Sequence, residues 1–174
     1  MISVLFLCTG NSARSILAEA ILNRSSDRRF RAYSAGSFPK REVHPAALKL
    51  LKSRGYTVDQ LRSKSWDEFT GHNAPDIEIV LTVCDNAASE VCPVWPGRPV
   101  TAHWGVPDPA LATGPDSEIA EAFSKTYGLL KARIAALTDL PVETMAADLL
   151  QKNLNQIRQT HFSCLLYTSP SPRD

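Results

Sequence analysis

A chain of 174 residues, 44% hydrophobic and 21% charged, has the length and composition of one globular domain with a sizeable core. A formal net charge of +1 lacks the concentrated basic field that a nucleic-acid or membrane-surface partner demands, so neither is expected. No apolar run approaches the roughly 18 residues of a spanning helix, and the apolar start has no basic leader. The expected location is therefore the cytoplasm, where cysteines are kept reduced and more often serve chemistry than structure.

The first six positions after Met1 are nearly all apolar, the mark of a strand buried on both faces over Ile2–Leu7. Ile16, Leu17, Ala20 and Ile21 then recur at helical spacing, predicting a helix over Ser15–Leu22. "FRAYSAG" reads as a second strand ended by Gly36. "HPAALKLLKSRG" reads as a helix with Pro45 in its first turn and Gly55 as its stop. "IEIVLTVC" is a β-branched third strand and "VTAHWG" a short fourth. The segment 93–114, rich in Pro and Gly, reads as a long functional loop. A long amphipathic helix follows over 115–137, and a last one over 140–157. Strand alternating with helix predicts an α/β fold with a parallel sheet. The domain is expected to span 1–158, with 159–174 outside it. Residues 164–174, "CLLYTSPSPRD", break the preceding composition and resemble a translated sequencing adapter; they are set aside from the fold.

The stretch "CTGNSAR" is the first candidate site. Its residues, Thr9, Gly10, Asn11, Ser12 and Ala13, are small, so successive backbone amides can turn inward as an anion-binding nest. The loop opens a helix, whose first amides favour negative charge. Arg14 supplies a planar fork of donors suited to a tetrahedral oxyanion. The same field, with Ser15, is expected to ionise Cys8: lowering a thiol from ~8.5 to ~6 is worth about 3.4 kcal/mol. Glycines and lysine at nucleotide P-loop spacing are absent. The bland alternative makes Cys8 a small buried hydrophobe and Arg14 a solvated helix residue.

Cys84 and Cys92 end and follow the third strand. Three readings stand side by side: a zinc site with His103, two packing residues, or a thiol relay across the short polar segment between them. Cys8 and Cys84 both end strands, so they meet at one sheet edge if those strands are neighbours. Asp108 sits between Pro107 and Pro109, which stiffen the chain around its carboxyl. His103 and Trp104 read as packing or loop-anchoring residues.

"VLFLCTGNSARSILAEA", "YSAG", "VLTVCDNAASEVCP" and "HWGVPDP" together resemble the low-molecular-weight protein tyrosine phosphatase superfamily, and more specifically its arsenate reductases. The resemblance implies a single three-layer domain with a four-stranded parallel sheet and helices on both faces. It implies arsenate as substrate, Cys8 as nucleophile in the loop Thr9–Ser15, Asp108 as general acid, and a Cys8–Cys84–Cys92 disulfide relay. The reductant it implies is thioredoxin, with glutaredoxin or a low-molecular-weight thiol as the other candidates. No cofactor or metal is implied. Some members hold potassium near the positions of Asn11, Glu19 and Ser34, but here Trp66 falls where those members carry an aspartate, so no potassium site is expected. The runner-up is hydrolysis of phosphate monoesters through a Cys8 phosphoenzyme; "PALATG" after Asp108 lacks the aromatic residues that wall a phenyl ring in the phosphatases. A non-enzymatic anion-binding or thiol-sensing module is the third reading, and nothing in the loop disables Cys8 or Arg14.

Overall fold

The computed structural model describes residues 1–90 and 93–168, with side chains through Gln159. Four strands, β1 (Ile2–Leu7), β2 (Phe30–Ala35), β3 (Ile79–Thr82) and β4 (Val100–His103), form one parallel sheet in the order β2-β1-β3-β4. β1 is therefore central, and the alternation of its side chains feeds both faces. Val4 and Phe6 point with Ala32, Ile79 and Leu81 into the main core. Leu5 and Leu7 point the other way, to Ala35, Val80, Phe69 and Trp95.

The main core is closed by the apolar sides of α1 (Arg14–Arg24), α2 (Pro45–Ser53), α4 (Asp116–Thr138) and α5 (Ala147–Thr168). The second face is covered by a 3-10 turn at Trp66–Phe69 and by Trp95, with Trp66 and Trp95 packed edge to face. The expectation of helices on both faces thus takes an unequal form: long helices on one side, a single short turn and aromatics on the other. α1 begins at Arg14, a residue earlier than its periodicity suggests, and extends to Arg24. The fifth helix begins later than expected, at Ala147, because Pro141 and the turn Val142–Thr144 precede it. Its backbone continues to Thr168, past residue 158 and into the stretch set aside as non-domain tail. Among the described residues, no helix is long and apolar enough to cross a membrane.

The pairing of β1 with β3 settles the first question of the site. Leu7 lies in register with Thr82, and Val83 N–H donates to the carbonyl of Leu7 at 2.8 Å. The two strands run parallel side by side, so Cys8 and Cys84 leave the sheet at the same edge.

Candidate active site

The loop after β1 turns because Asn11 adopts a left-handed backbone (φ 44°), a conformation that Asn tolerates better than most residues. Its side chain is fully buried and works as a strut. Nδ2 donates to Ser15 Oγ at 2.8 Å, and Oδ1 accepts the amide of Lys64 at 2.8 Å. The loop carbonyls are tied outward: Thr9 O accepts from Phe38 N, Gly10 O from Lys40 N and Ser12 O from His44 N, each at 2.9 Å. With the carbonyls so engaged, no described residue accepts from the amides of Asn11, Ser12 or Ala13. Gly36 lies against this turn so closely that a Cβ there would stand 2.8 Å from the Cys8 carbonyl oxygen.

These elements enclose a cavity of about 170 Å³ lined by Cys8, Thr9, Gly10, Ser12, Ala13 and Arg14 of the loop. Asp108, Ala110, Asn86, Phe38 and Lys40 complete it. Six of the loop residues singled out in the sequence therefore share one cavity with Asp108. Asn11 and Ser15 do not; their side chains are buried and shape the loop rather than line the cavity. Lys40, Phe38 and Asn86 were missed, since nothing in local spacing marks a residue brought in from another loop.

Arg14 is held by two partners. Its guanidinium meets the Asp108 carboxylate at 3.2 Å and donates to the Val106 carbonyl at 3.2 Å, while its buried Nε has no partner. Asp108 is fixed in turn: its other oxygen accepts the amide of Ala110 at 3.0 Å, capping the turn Pro109–Leu111. Buried N–H groups are ordinarily paired, so Nε and the loop amides together mark a place for an acceptor-rich guest.

The sulfurs depart from expectation. Cys8 and Cys84 are both free and buried, and each is the largest cause of the other's shifted ionisation. Cys84 is the sulfur held anionic, its pKa lowered to about 5, first by the hydrogen bond from Cys8, with burial opposing, then by amide donors. Those donors are the amides of Ala87 and Thr9, each 3.3 Å from its sulfur, with the Thr9 hydroxyl at 3.7 Å. The thiol of Cys8 is pushed up, first by that same hydrogen bond to Cys84 and then by burial, against the pull of Arg14. The two thiols are thus driven in opposite directions, Cys84 toward the thiolate and Cys8 toward the thiol. This direction runs against the expectation of a Cys8 thiolate, because a second sulfur with its own amide donors stands beside the first. Cys92 lies outside the described residues.

His103 is more than packing. Its Nδ1 pairs with Thr82 Oγ1 and its Nε2 with Asp85 Oδ1, each at 2.7 Å. Both ring nitrogens are engaged, which leaves neither for a zinc ion. Trp104 behaves as read, fully buried, with its indole N–H donating to the Leu154 carbonyl at 2.9 Å. Behind the loop, the ammonium of Lys64 lies 3.8 Å from Glu19 Oε2 and 3.5 Å from Ser34 Oγ. A cation of the chain's own thus fills the place between these groups, so an alkali ion does not fit there.

The family model described as low molecular weight phosphotyrosine protein phosphatase matches residues 3–155. The chain belongs to this family. Among curated relatives, the arsenate reductase of Halalkalibacterium halodurans is 34% identical over 136 residues, 78% of this chain and 94% of the relative. That of Bacillus subtilis is 36% identical over 115 residues, 66% of this chain and 79% of the relative. Among solved structures, the arsenate reductase of Archaeoglobus fulgidus superposes with a TM-score of 0.64 at 26% identity, covering 79% of this chain and 99% of that one. A thioredoxin-dependent arsenate reductase of Corynebacterium glutamicum superposes with a TM-score of 0.55 at 28% identity, covering 80% of this chain and 61% of that one.

Proposed function

We propose that the protein reduces arsenate to arsenite through a relay of Cys8, Cys84 and Cys92, with a dithiol such as thioredoxin as final reductant. The observation that carries this reading is a second buried free thiol, Cys84, at the same sheet edge as Cys8, its sulfur 3.3 Å from the amide of Thr9, the residue next to Cys8. Hydrolysis of a phosphate ester needs only Cys8, Arg14 and Asp108; a neighbouring thiolate behind the nucleophile serves an oxidation. The curated relatives named arsenate reductase support the same conclusion.

The chemistry balances as follows. Arsenate enters the loop and takes the unpaired amides and Arg14 Nε. Cys8 passes its proton to Cys84 and attacks arsenic; Asp108, having taken a proton from the monohydrogen or dihydrogen arsenate that entered, returns it to the departing oxygen, which leaves as water. Arsenic is still pentavalent and bonded to Cys8. Cys84, once its proton is lost, attacks the Cys8 sulfur. The sulfur–arsenic bond breaks, its electron pair stays on arsenic, and arsenite departs from a Cys8–Cys84 disulfide. Cys92 then attacks Cys84, Cys8 leaves as a thiolate stabilised by Arg14, and the dithiol reduces the Cys84–Cys92 bridge. Two electrons and two protons from the dithiol thus turn one arsenate into arsenite and water. Such a cycle belongs in a reducing compartment, the cytoplasm.

The test compares Cys84→Ser and Cys92→Ser with the parent. Both are expected to lose multiple-turnover arsenite production with thioredoxin and thioredoxin reductase, while still hydrolysing an artificial aryl phosphate slowly. Sustained turnover of arsenate in either variant would refute the relay. Replacing thioredoxin by glutathione with glutaredoxin identifies the reductant.

A further inference from the structure

The relay asks two things of Cys84. Its sulfur must rest on Cys8, and the segment that carries it must be firm enough to keep it there. That segment is α3 (Asp85–Ser89), five residues long. A helix this short does not sustain itself, because nucleation costs more than its one or two hydrogen bonds return. Its position must be imposed by tertiary bonds.

Two such bonds exist, one at each end. At the C-terminal end, the Thr9 hydroxyl donates to Glu90 Oε1 at 3.1 Å. At the N-terminal end, the first residue of the helix, Asp85, meets His103 Nε2 at 2.7 Å. The second contact is built with more structure behind it. His103 ends β4 in register with Thr82, the end of β3, and its Nδ1 lies 2.7 Å from the Thr82 hydroxyl. A carboxylate can only accept, so Nε2 carries the proton toward Asp85 and the neutral ring accepts from Thr82 at Nδ1. If the ring takes a second proton, the Nε2–H bond to Asp85 persists. The imidazole is therefore a two-ended bridge whose tautomer is set by its partners.

The post that carries His103 is rigid. Trp104, the next residue, is fully buried, and its amide donates to Thr82 O at 2.7 Å. Arg133 of α4, itself buried, donates to the carbonyls of Trp104 and Gly105 at 2.9 and 3.2 Å. Gly105 makes the room: a Cβ there would stand 2.7 Å from both Asp85 Oδ1 and His103 Nε2.

We infer that His103, acting through Asp85, is a positioning residue for the reductase reaction: it pins the first turn of α3 to the sheet and so holds the Cys84 sulfur in line with Cys8. This rests on the relay proposed above and adds to it the residues that place the second thiol. Thr82 sets the ring, Asp85 transmits the restraint, and Gly105 keeps the approach open. Neither His103 nor Asp85 lines the oxyanion cavity, so the pair should affect the sulfur–sulfur step and leave anion binding alone.

The experiment uses the full chain, pre-reduced and freed of reductant, and reads arsenite released in a single turnover beside the affinity for inorganic phosphate by calorimetry. Asp85→Ala and His103→Ala should each slow arsenite release about three- to fivefold, because Asp85 is exposed and an exposed pair is worth up to about 1 kcal/mol. Phosphate affinity should stay within about twofold of the parent on the same reasoning. Asp85→Asn, which keeps an acceptor oxygen, should recover most of the rate, and the double Ala variant should be no slower than the worse single one. Unchanged release in the Ala variants overturns the inference. So does an equal loss of phosphate affinity, which would mean general damage to the site, or an Asp85→Asn protein as slow as Asp85→Ala, which would mean charge rather than the bond. A parent chain that releases no arsenite would sink the functional reading and this inference with it; release by the parent with unaltered variants sinks the inference alone.

Discussion

Replacing Lys64 by Met should destabilise the fold by about 4 kcal/mol at neutral pH, and the loss should shrink in acid. Lys64 and Glu19 are nearly buried, with side chains 7% and 12% exposed, and their charged atoms are 3.8 Å apart. At an effective dielectric constant near 20, that separation corresponds to ~4 kcal/mol of attraction, within the 3–5 kcal/mol typical of breaking a buried pair. Burial acts first on both groups and in opposite directions: it pushes the Glu19 carboxyl up and the Lys64 ammonium down. Neither charge is comfortable alone, and each is tolerated because the other is there.

Met fills the aliphatic space of Lys64 and removes only the charge. Glu19 then keeps the hydrogen bond from Ser34 Oγ at 2.7 Å but loses its cation, so its raised pKa rises further. A carboxyl whose folded pKa lies above its unfolded one stabilises the fold below the unfolded pKa and loses that contribution as pH rises through the folded one. The gap between parent and Lys64→Met should therefore be widest at pH 7 and narrow toward pH 5. Lys64→Met with Glu19→Gln should recover most of the loss, because no buried charge is stranded. Urea unfolding at both pH values is the assay. A loss under about 1 kcal/mol, or a gap of equal size at both pH values, would show that the pair is solvated and the reasoning wrong.

Three other outcomes follow from the site. Thiolate absorbance at 240 nm should show one sulfur of the reduced parent ionising near pH 5; arsenite release should fall below that pH as the shared pair takes its second proton. Cys8→Ser removes the largest cause holding Cys84 down, so that ionisation should move to higher pH, whereas Cys84→Ser should let Cys8 ionise more readily under Arg14. Asp108→Asn should tighten phosphate binding measured by calorimetry, because Arg14 gives up a carboxylate partner at 3.2 Å, while arsenate turnover drops by ~10²–10⁴ with loss of the proton donor. Gly36→Ala should cost about 1–3 kcal/mol in urea unfolding and weaken phosphate binding, since the new methyl presses on the carbonyls of Thr9 and Cys8.

The fold was legible wherever a local pattern decides. Apolar continuity in β1, helical spacing in α1 and Pro45 and Gly55 at the ends of α2 are signals carried within a few residues. The loop Thr9–Ser15 was legible for the same reason, because its chemistry is contiguous. What the sequence hid is what depends on facing. Asn11 and Ser15 look like their neighbours in the motif, yet left-handed geometry at Asn11 turns both into struts. Lys64 gives no sign in "SKSWDEF" that its side chain runs back beneath the loop to Glu19. The bond between His103 and Asp85 spans two strand ends and is visible only once β3 and β4 are paired. Cys8 was the instructive miss. Arg14, the amides and the helix start all argue for a thiolate there, and the sequence cannot say that a second sulfur with amide donors of its own stands beside it and pulls the other way.

That displacement of charge is consistent with the chemistry the site would have to perform. A dianionic guest and a permanent thiolate in the same cup of about 170 Å³ repel one another. If the resting charge lies on Cys84, behind the loop, the cup carries Arg14 and Lys40 against Asp108 alone, a net positive charge. The guest then competes only with Asp108 for Arg14, and its own electrostatic demand on the guanidinium frees the acid for the departing oxygen. Cys8 becomes a nucleophile at the moment its proton crosses to Cys84, so ionisation is coupled to the presence of something to attack. The same proton on Cys84 delays the second thiol until the arsenic–sulfur bond exists. Order in the relay can thus arise from one proton passed between the sulfurs and two amide donors on the second, without any moving part until the disulfide has to leave the loop.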